Sequence, residues 1–140
     1  MWFFSDEEQL LAESVRQFAN TVLKPKIEKL DAEEGFHREA FVKLGEMGLL
    51  GITVAEQDGG AGLGAVAATL AMEEMAAVDA STTLSYLAHS ILCVNQIGLN
   101  GNSEQKKKYL PKLISGEWIG GMGMTEPGAG SDALGMTTKA

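Results

Sequence analysis

The stretch from Met122 to Asp132, MGMTEPGAGSD, carries the residue types and spacing best suited to holding a ligand. Met122, Gly123, Met124 and Thr125 read as the end of a short strand. Pro127 fixes its own φ and pushes Glu126 toward extended backbone, which forces a turn. Gly128 and Gly130 bracket Ala129, so the backbone there can take positive φ and leave its main-chain N–H groups pointing outward. Ser131 and Asp132 close the loop with short oxygen-bearing side chains. A loop of this kind can bind an anionic or polar group through backbone donors and a hydroxyl, without a cationic side chain. The bland alternative is a strand and turn that binds nothing.

Other residues capable of chemistry are less promising. Cys93 is the single cysteine, so it can form no internal disulfide, and between Leu92 and Val94 it reads as buried filler rather than a nucleophile. His37 stands near a helix start with no partner in sequence and reads as a solvated histidine. His89 and Ser85 lie one turn apart on an apolar helix, where they either line a cavity or satisfy each other's surroundings inside the core; the core reading is favoured. Glu73 and Glu74 are adjacent, so they point about 100° apart on a helix and cannot face each other as an acid/base pair. Gly60, Gly62 and Ala65 fit G-x-G-x-x-A. Polar residues separate that loop from the apolar run Leu49 to Val54, and helix follows helix, so a surface loop is expected rather than a dinucleotide site. No metal-ligand spacing is evident.

Composition narrows the partners. The 140 residues are 45% hydrophobic and 21% charged, which suits one globular domain of ordinary size. Net charge is −8, and the longest basic run is Lys106 to Lys108, so nucleic acid is not an expected partner. A phosphate-bearing ligand would have to be held locally. The N-terminus MWFFSDEE lacks the basic region of a signal peptide, and no stretch approaches the roughly 20 apolar residues of a membrane span. A cytoplasmic location without membrane association is the expectation.

The elements that must position the loop are helical. Ser5 and Glu8 form a capping box ahead of a stripe of Leu11, Val15, Phe18 and Val22, interrupted at Pro25. A second helix is expected over His37–Met47, burying Phe41, Leu44 and Met47, with Gly48 as its stop. A third is expected over Ala65–Val78, with Leu70 and Met75 inward, and a fourth, nearly all apolar, over Thr83–Leu99. Ser103 is expected to cap a fifth, where Pro111 is compatible with a break and restart. From Trp118 the pattern changes to Ile119, Met122 and Met124 among glycines, which puts a domain boundary near residue 117.

With those residues in place, the chain resembles the acyl-CoA dehydrogenase family over essentially its whole length. Trp118 to Ala140 is similar to the start of that family's middle β-domain, and TEPGAGSD is its most specific segment. LGEMGLLGITVAEQDGGAGLG (Leu44 to Gly64) resembles the first signature loop. NGNSEQKKKYLPKLISGEW (Asn100 to Trp118) resembles the helix leading into the flavin strand, and LSYLAHSILCVNQIG (Leu84 to Gly98) looks closest to the short branched-chain members.

The resemblance implies a mainly α chain. Residues 1–117 would form the N-terminal helical domain and 118–140 the first strand or strands of a truncated β-domain, with the C-terminal helical domain absent. It implies FAD as cofactor and oxidation of a short or branched-chain acyl-CoA, isovaleryl-CoA among the candidates, to the trans-2-enoyl-CoA. An electron-transfer flavoprotein would accept the electrons, and the full-length protein would be a homo-oligomer, in the family a tetramer. Met122, Gly123, Met124, Thr125, Glu126, Pro127, Gly128, Ala129, Gly130 and Ser131 would contact the flavin, with Ser131 also near the CoA. Glu126 would belong to the turn. The family's glutamate base falls in the C-terminal domain, so no catalytic base is expected in this chain and no turnover by it alone. Alternatives are an acyl-CoA oxidase or flavin monooxygenase of the same superfamily, or a non-catalytic helical acyl-CoA- or partner-binding module.

Overall fold

The computed structural model describes residues 4–139, and helices dominate it. Helix α1, Asp6–Phe18, starts at the capping box: the Ser5 hydroxyl accepts from the Glu8 N–H, and the Glu8 carboxylate accepts from the Ser5 N–H. Pro25 does not interrupt the chain's helical course. The helix widens to a π turn over Ala19–Leu23, tightens to a 3-10 turn over Lys24–Lys26, and continues as α2, Ile27–Ala32. A proline ring collides with the carbonyl four residues back, and a change of helical winding relieves that collision.

Helix α3 spans Arg38–Glu46, and Gly48 at φ 74° ends it in the left-handed region. His37 is not solvated. It is buried as the N-cap, its Nδ1 accepting from the Ala40 N–H at 3.2 Å while Nε2 lies 3.4 Å from the Val22 carbonyl. Phe41 and Leu44 are fully buried, as their spacing predicts, but Met47 lies past the last helical residue and is exposed. The run Leu49 to Val54 is buried as tight turns, and α4, Ala65–Ala76, then buries Leu70 and Met75.

The fourth predicted helix starts three residues early, because Asp79 accepts N–H bonds from Ser81 and Thr82 and so caps α5, Ala80–Tyr86. It runs on through a π-helical stretch, Leu87–Val94, into α6, Asn95–Asn100. Helix α7, Ser103–Ile114, is capped not by Ser103 but by Asn102, whose side chain accepts from the Gln105 N–H at 2.9 Å, and it is unbroken at Pro111. That ring lies on the exposed side, where the carbonyl it deprives of a donor can be hydrated.

One cluster joins α1, α3, α4 and α5 through Val15, Phe18, Phe41, Leu50, Met75 and Tyr86. A smaller one, Val54, Val94, Leu110 and Leu113, packs α7 on the π stretch. Burial of this kind stabilises by about 25 cal/mol per Å² of apolar surface removed from water, so the core, not the polar contacts, holds the bundle. Arg16 on α1 and Glu74 on α4 add a bidentate pair at 2.6 and 2.8 Å, so Glu74 is engaged rather than merely solvated. Among the described residues no helix is long and apolar enough to cross a membrane.

Candidate functional site

The ligand-competent stretch is reached through a lead-in that the helices grip. After α7 the chain turns at Gly116, whose φ is 75°. The Trp118 N–H then donates to the Lys112 carbonyl at 2.9 Å, and Arg38 donates to the Glu117 carbonyl at 2.6 Å. Lys112 Nζ lies 4.7 Å from the Trp118 ring centroid, a cation–π contact on the same turn. The Gly120 N–H donates to Nδ1 of His89 at 2.9 Å.

Beyond Gly121, whose N–H meets Cys93 Sγ, the chain leaves the bundle. Met122 and Met124 are 45% and 49% exposed. The expected strand does not form among the described residues; the segment runs unpaired, because a strand needs a neighbour to complete its ladder and no described segment lies beside it. The turn itself is present. The Ala129 N–H donates to the Glu126 carbonyl, and the Glu126 N–H donates to the Ala129 carbonyl, both at 3.1 Å. Gly128 and Gly130 do not use the positive φ open to them; the glycines that adopt it are Gly48, Gly59, Gly62 and Gly116. A type I turn with proline at its second position needs no left-handed residue, which removes the demand.

Glu126 is the pivot of the strip. Its carboxylate accepts the N–H groups of Thr137 and Thr138, each at 2.8 Å, and the Thr137 hydroxyl at 3.1 Å. The Thr138 and Thr137 contacts hold its pKa down at about 2. A carboxylate so stabilised is a poor proton acceptor. Asp132 accepts from the Gly135 N–H and caps the 3-10 turn Ala133–Gly135. Among the described residues the N–H groups of Gly128, Gly130 and Ser131 and the Ser131 hydroxyl meet no protein partner. A Cβ at Gly123, Gly128 or Gly130 would meet nothing within 4 Å, so the strip presents open, donor-rich backbone. That donor set fits a group carrying phosphate and polar ring atoms, which is what FAD would bring.

The remaining candidates resolve differently. His89 and Ser85 do not form a pair: Ser85 donates to the Ser81 carbonyl, and His89 faces inward. Cys93 is half-buried, and burial pushes its thiol pKa up, which disfavours the thiolate a nucleophile needs. In the loop at Gly60, five successive N–H groups are consumed internally. Gly59 donates to Glu56, Gly60 to Ala55, Ala61 to Gly51, Gly62 to Val54 and Leu63 to Ile52. Those five donors are not available to cradle a pyrophosphate. What sequence reasoning missed is the grip on the lead-in by Arg38 and His89, residues 79 and 31 positions away from their partners. No local pattern signals such pairings.

A helical bundle delivering a TEPGAGSD strip defines a class. A profile of the acyl-CoA dehydrogenase N-terminal domain matches residues 5–117, and the chain belongs to the acyl-CoA dehydrogenase family. The mitochondrial isovaleryl-CoA dehydrogenase of Pongo abelii is 48% identical over 138 residues, covering 97% of this chain and 33% of the relative. The chain thus spans about a third of the length of such curated relatives. An acyl-CoA dehydrogenase from Bacillus anthracis complexed with FAD superposes with a TM-score of 0.86 at 38% identity, over 95% of this chain and 23% of that one. A structure described for the electron transferring flavoprotein of Acidaminococcus fermentans gives 0.88 at 35% identity, over 96% and 36%.

Proposed function

We propose that residues 1–117 are the N-terminal helical domain, and 118–140 the opening of the flavin-contacting domain, of an FAD-dependent acyl-CoA dehydrogenase. The observation that carries this reading is the strip itself: open backbone donors at Gly128, Gly130 and Ser131 beside two exposed methionines, on a lead-in fixed to a rigid bundle. Met122 to Ser131 hold the cofactor, with Met122 and Met124 against the flavin edge and Thr125 bonding its polar ring atoms. Gly130 and Ser131 lie by the pyrophosphate, and Ser131 also meets the CoA. When bound, FAD accepts the substrate's β-hydrogen as hydride. The substrate is a short or branched-chain acyl-CoA such as isovaleryl-CoA, and an electron-transfer flavoprotein takes up the electrons. The relatives' names support both choices. The whole protein is a homo-oligomer.

This chain's own residues bind and orient; they do not abstract the α-proton. Glu126 is committed to Thr137 and Thr138, and Asp132 to its cap. The test combines binding and turnover. Flavin fluorescence should report FAD binding by the 140-residue chain, and Ser131→Ala should weaken it by about 1 kcal/mol for one lost hydrogen bond. With isovaleryl-CoA and an artificial electron acceptor, acceptor reduction should not exceed a blank of free FAD. Reduction above the blank that vanishes in Glu126→Gln would refute the assignment of roles.

A further inference from the structure

His89 is fully buried, and the reading above gives it no role. Burying an imidazole sacrifices its hydration, so a leucine would fill the space more favourably unless both ring nitrogens are used. Both are. Nε2 lies 3.1 Å from the Leu113 carbonyl, and Nδ1 accepts the Gly120 N–H at 2.9 Å. Accepting at Nδ1 places the single proton of the neutral ring on Nε2, which therefore donates to Leu113. Phe41 packs edge-on against the ring, at 5.5 Å between centroids and 82° between planes, and fixes its orientation.

The two partners lie on either side of the Gly116 turn, so His89 ties the end of α7 to the lead-in. Tyr86, the last residue of α5, and Ser90, in the π-helical stretch that carries His89, donate to the Leu49 and Leu50 carbonyls, which pins the stretch from a second direction. Past Gly120 the Gly121 N–H meets Cys93 Sγ, and the next main-chain hydrogen bond among the described residues is the turn at Glu126, so His89 and Cys93 are the last grips before the strip. Sterics restrict the same point. A Cβ at Gly120 would stand 2.5 Å from Cys93 Sγ and 3.2 Å from Leu113 Cδ2, so neither a larger side chain nor a slide that brought Ile119 here is accommodated.

We propose that His89 is a positioning residue for the flavin-contacting strip: by holding Gly120 to α7 it sets the register and direction in which Met122 to Ser131 leave the helical body. The functional half of this rests on the cofactor reading above; the anchoring half does not.

Two substitutions separate the bonds. His89→Asn keeps an oxygen near the Nδ1 position for Gly120 and gives up Leu113, whereas His89→Gln keeps an amide donor near Nε2 and gives up Gly120. Amide hydrogen exchange on the 140-residue chain should show Gly120 opening roughly tenfold faster in the Gln variant and nearly unchanged in the Asn variant. The Trp118 amide, bonded to Lys112, serves as the internal control in both. FAD affinity should follow the same order, falling by about fivefold or more in the Gln variant only.

Equal acceleration in both variants, or acceleration shared by Leu44 and Met75 in the core, would reduce His89 to a packing residue. In the unsubstituted chain, imidazole nitrogen shifts should show the Nε2–H tautomer; an Nδ1–H tautomer would overturn the proposal without any variant. A split exchange pattern with no FAD binding by the unsubstituted chain would refute the cofactor reading and uphold the anchoring.

Discussion

The chain has two glycine-rich loops, and they use glycine for opposite purposes. In the loop Gly59 to Gly64, glycine lets the backbone fold back on the apolar run Leu49 to Val54. Gly59 and Gly62 take φ of 87° and 67°, and a Cβ at Gly60 would stand 2.2 Å from the Val54 carbonyl oxygen. Every N–H from Gly59 to Leu63 is spent inside the loop. In the strip Glu126 to Asp132, no glycine is left-handed or crowded, and the N–H groups of Gly128, Gly130 and Ser131 meet no partner among the described residues. Glycine content is the same signal in both. What separates a structural loop from a ligand-binding one is whether its donors are already used.

That contrast can be broken by alanine substitutions. The largest effect is expected at Gly60→Ala, where backbone rather than a movable side chain blocks the new methyl. Urea denaturation should show a loss of about 3 kcal/mol. Gly62→Ala forces a left-handed alanine against Glu56 Cγ at 3.1 Å, and about 1 kcal/mol is expected from the same measurement. Gly128→Ala should leave stability within about 0.5 kcal/mol, since its surroundings are open and its φ is not left-handed. If Gly128→Ala destabilised as much as Gly60→Ala, the two loops would not differ in kind.

The legible parts of the molecule are those governed by local rules. Apolar spacing placed Val15, Phe18, Phe41, Leu70 and Met75 correctly, and the capping signals at Ser5 and Gly48 act as expected, because each involves residues within one helical turn of each other. The errors have physical causes of longer range. His37 looked solvated because its burial depends on Val22, fifteen residues away. Pro111 leaves a break open in sequence because its exposure, set by how α7 docks, is not written in the helix. The strip's composition was readable, but its extended arm had been assigned to a strand without a neighbour to pair with. The π stretch and the His89–Gly120 bond have no local signature at all.

A pH series sharpens the same comparison, with the body answering before the strip. Burial, the largest influence, lowers the pKa of His89 from its ordinary 6.5, so the folded body prefers the neutral ring. As pH falls below 6.5 the unfolded chain takes up a proton that the folded one resists. Stability contributed by the neutral ring is therefore fully present above 6.5 and declines below it, until the folded pKa is reached. Thermal midpoints of the unsubstituted chain should fall in that window more than those of His89→Asn.

Glu126 responds later, and its effect is the smallest. Its pKa is lowered from 4.5 to about 2, so the stabilisation of the turn is complete above 4.5 and is lost as pH falls toward 2. Glu126 is no more than half-buried, so water competes for its carboxylate and the global midpoint should hardly register the change. The readout has to be local. The Thr137 and Thr138 amides should stay protected down through the ordinary carboxylate range and become labile only near the bottom of the window, whereas Glu126→Gln should leave them labile at neutral pH. Protection that persisted in the Gln variant would mean that the strip is held by its backbone turn alone. Glu126 would then be spare rather than committed, and the case against it as a proton acceptor would lose its structural half.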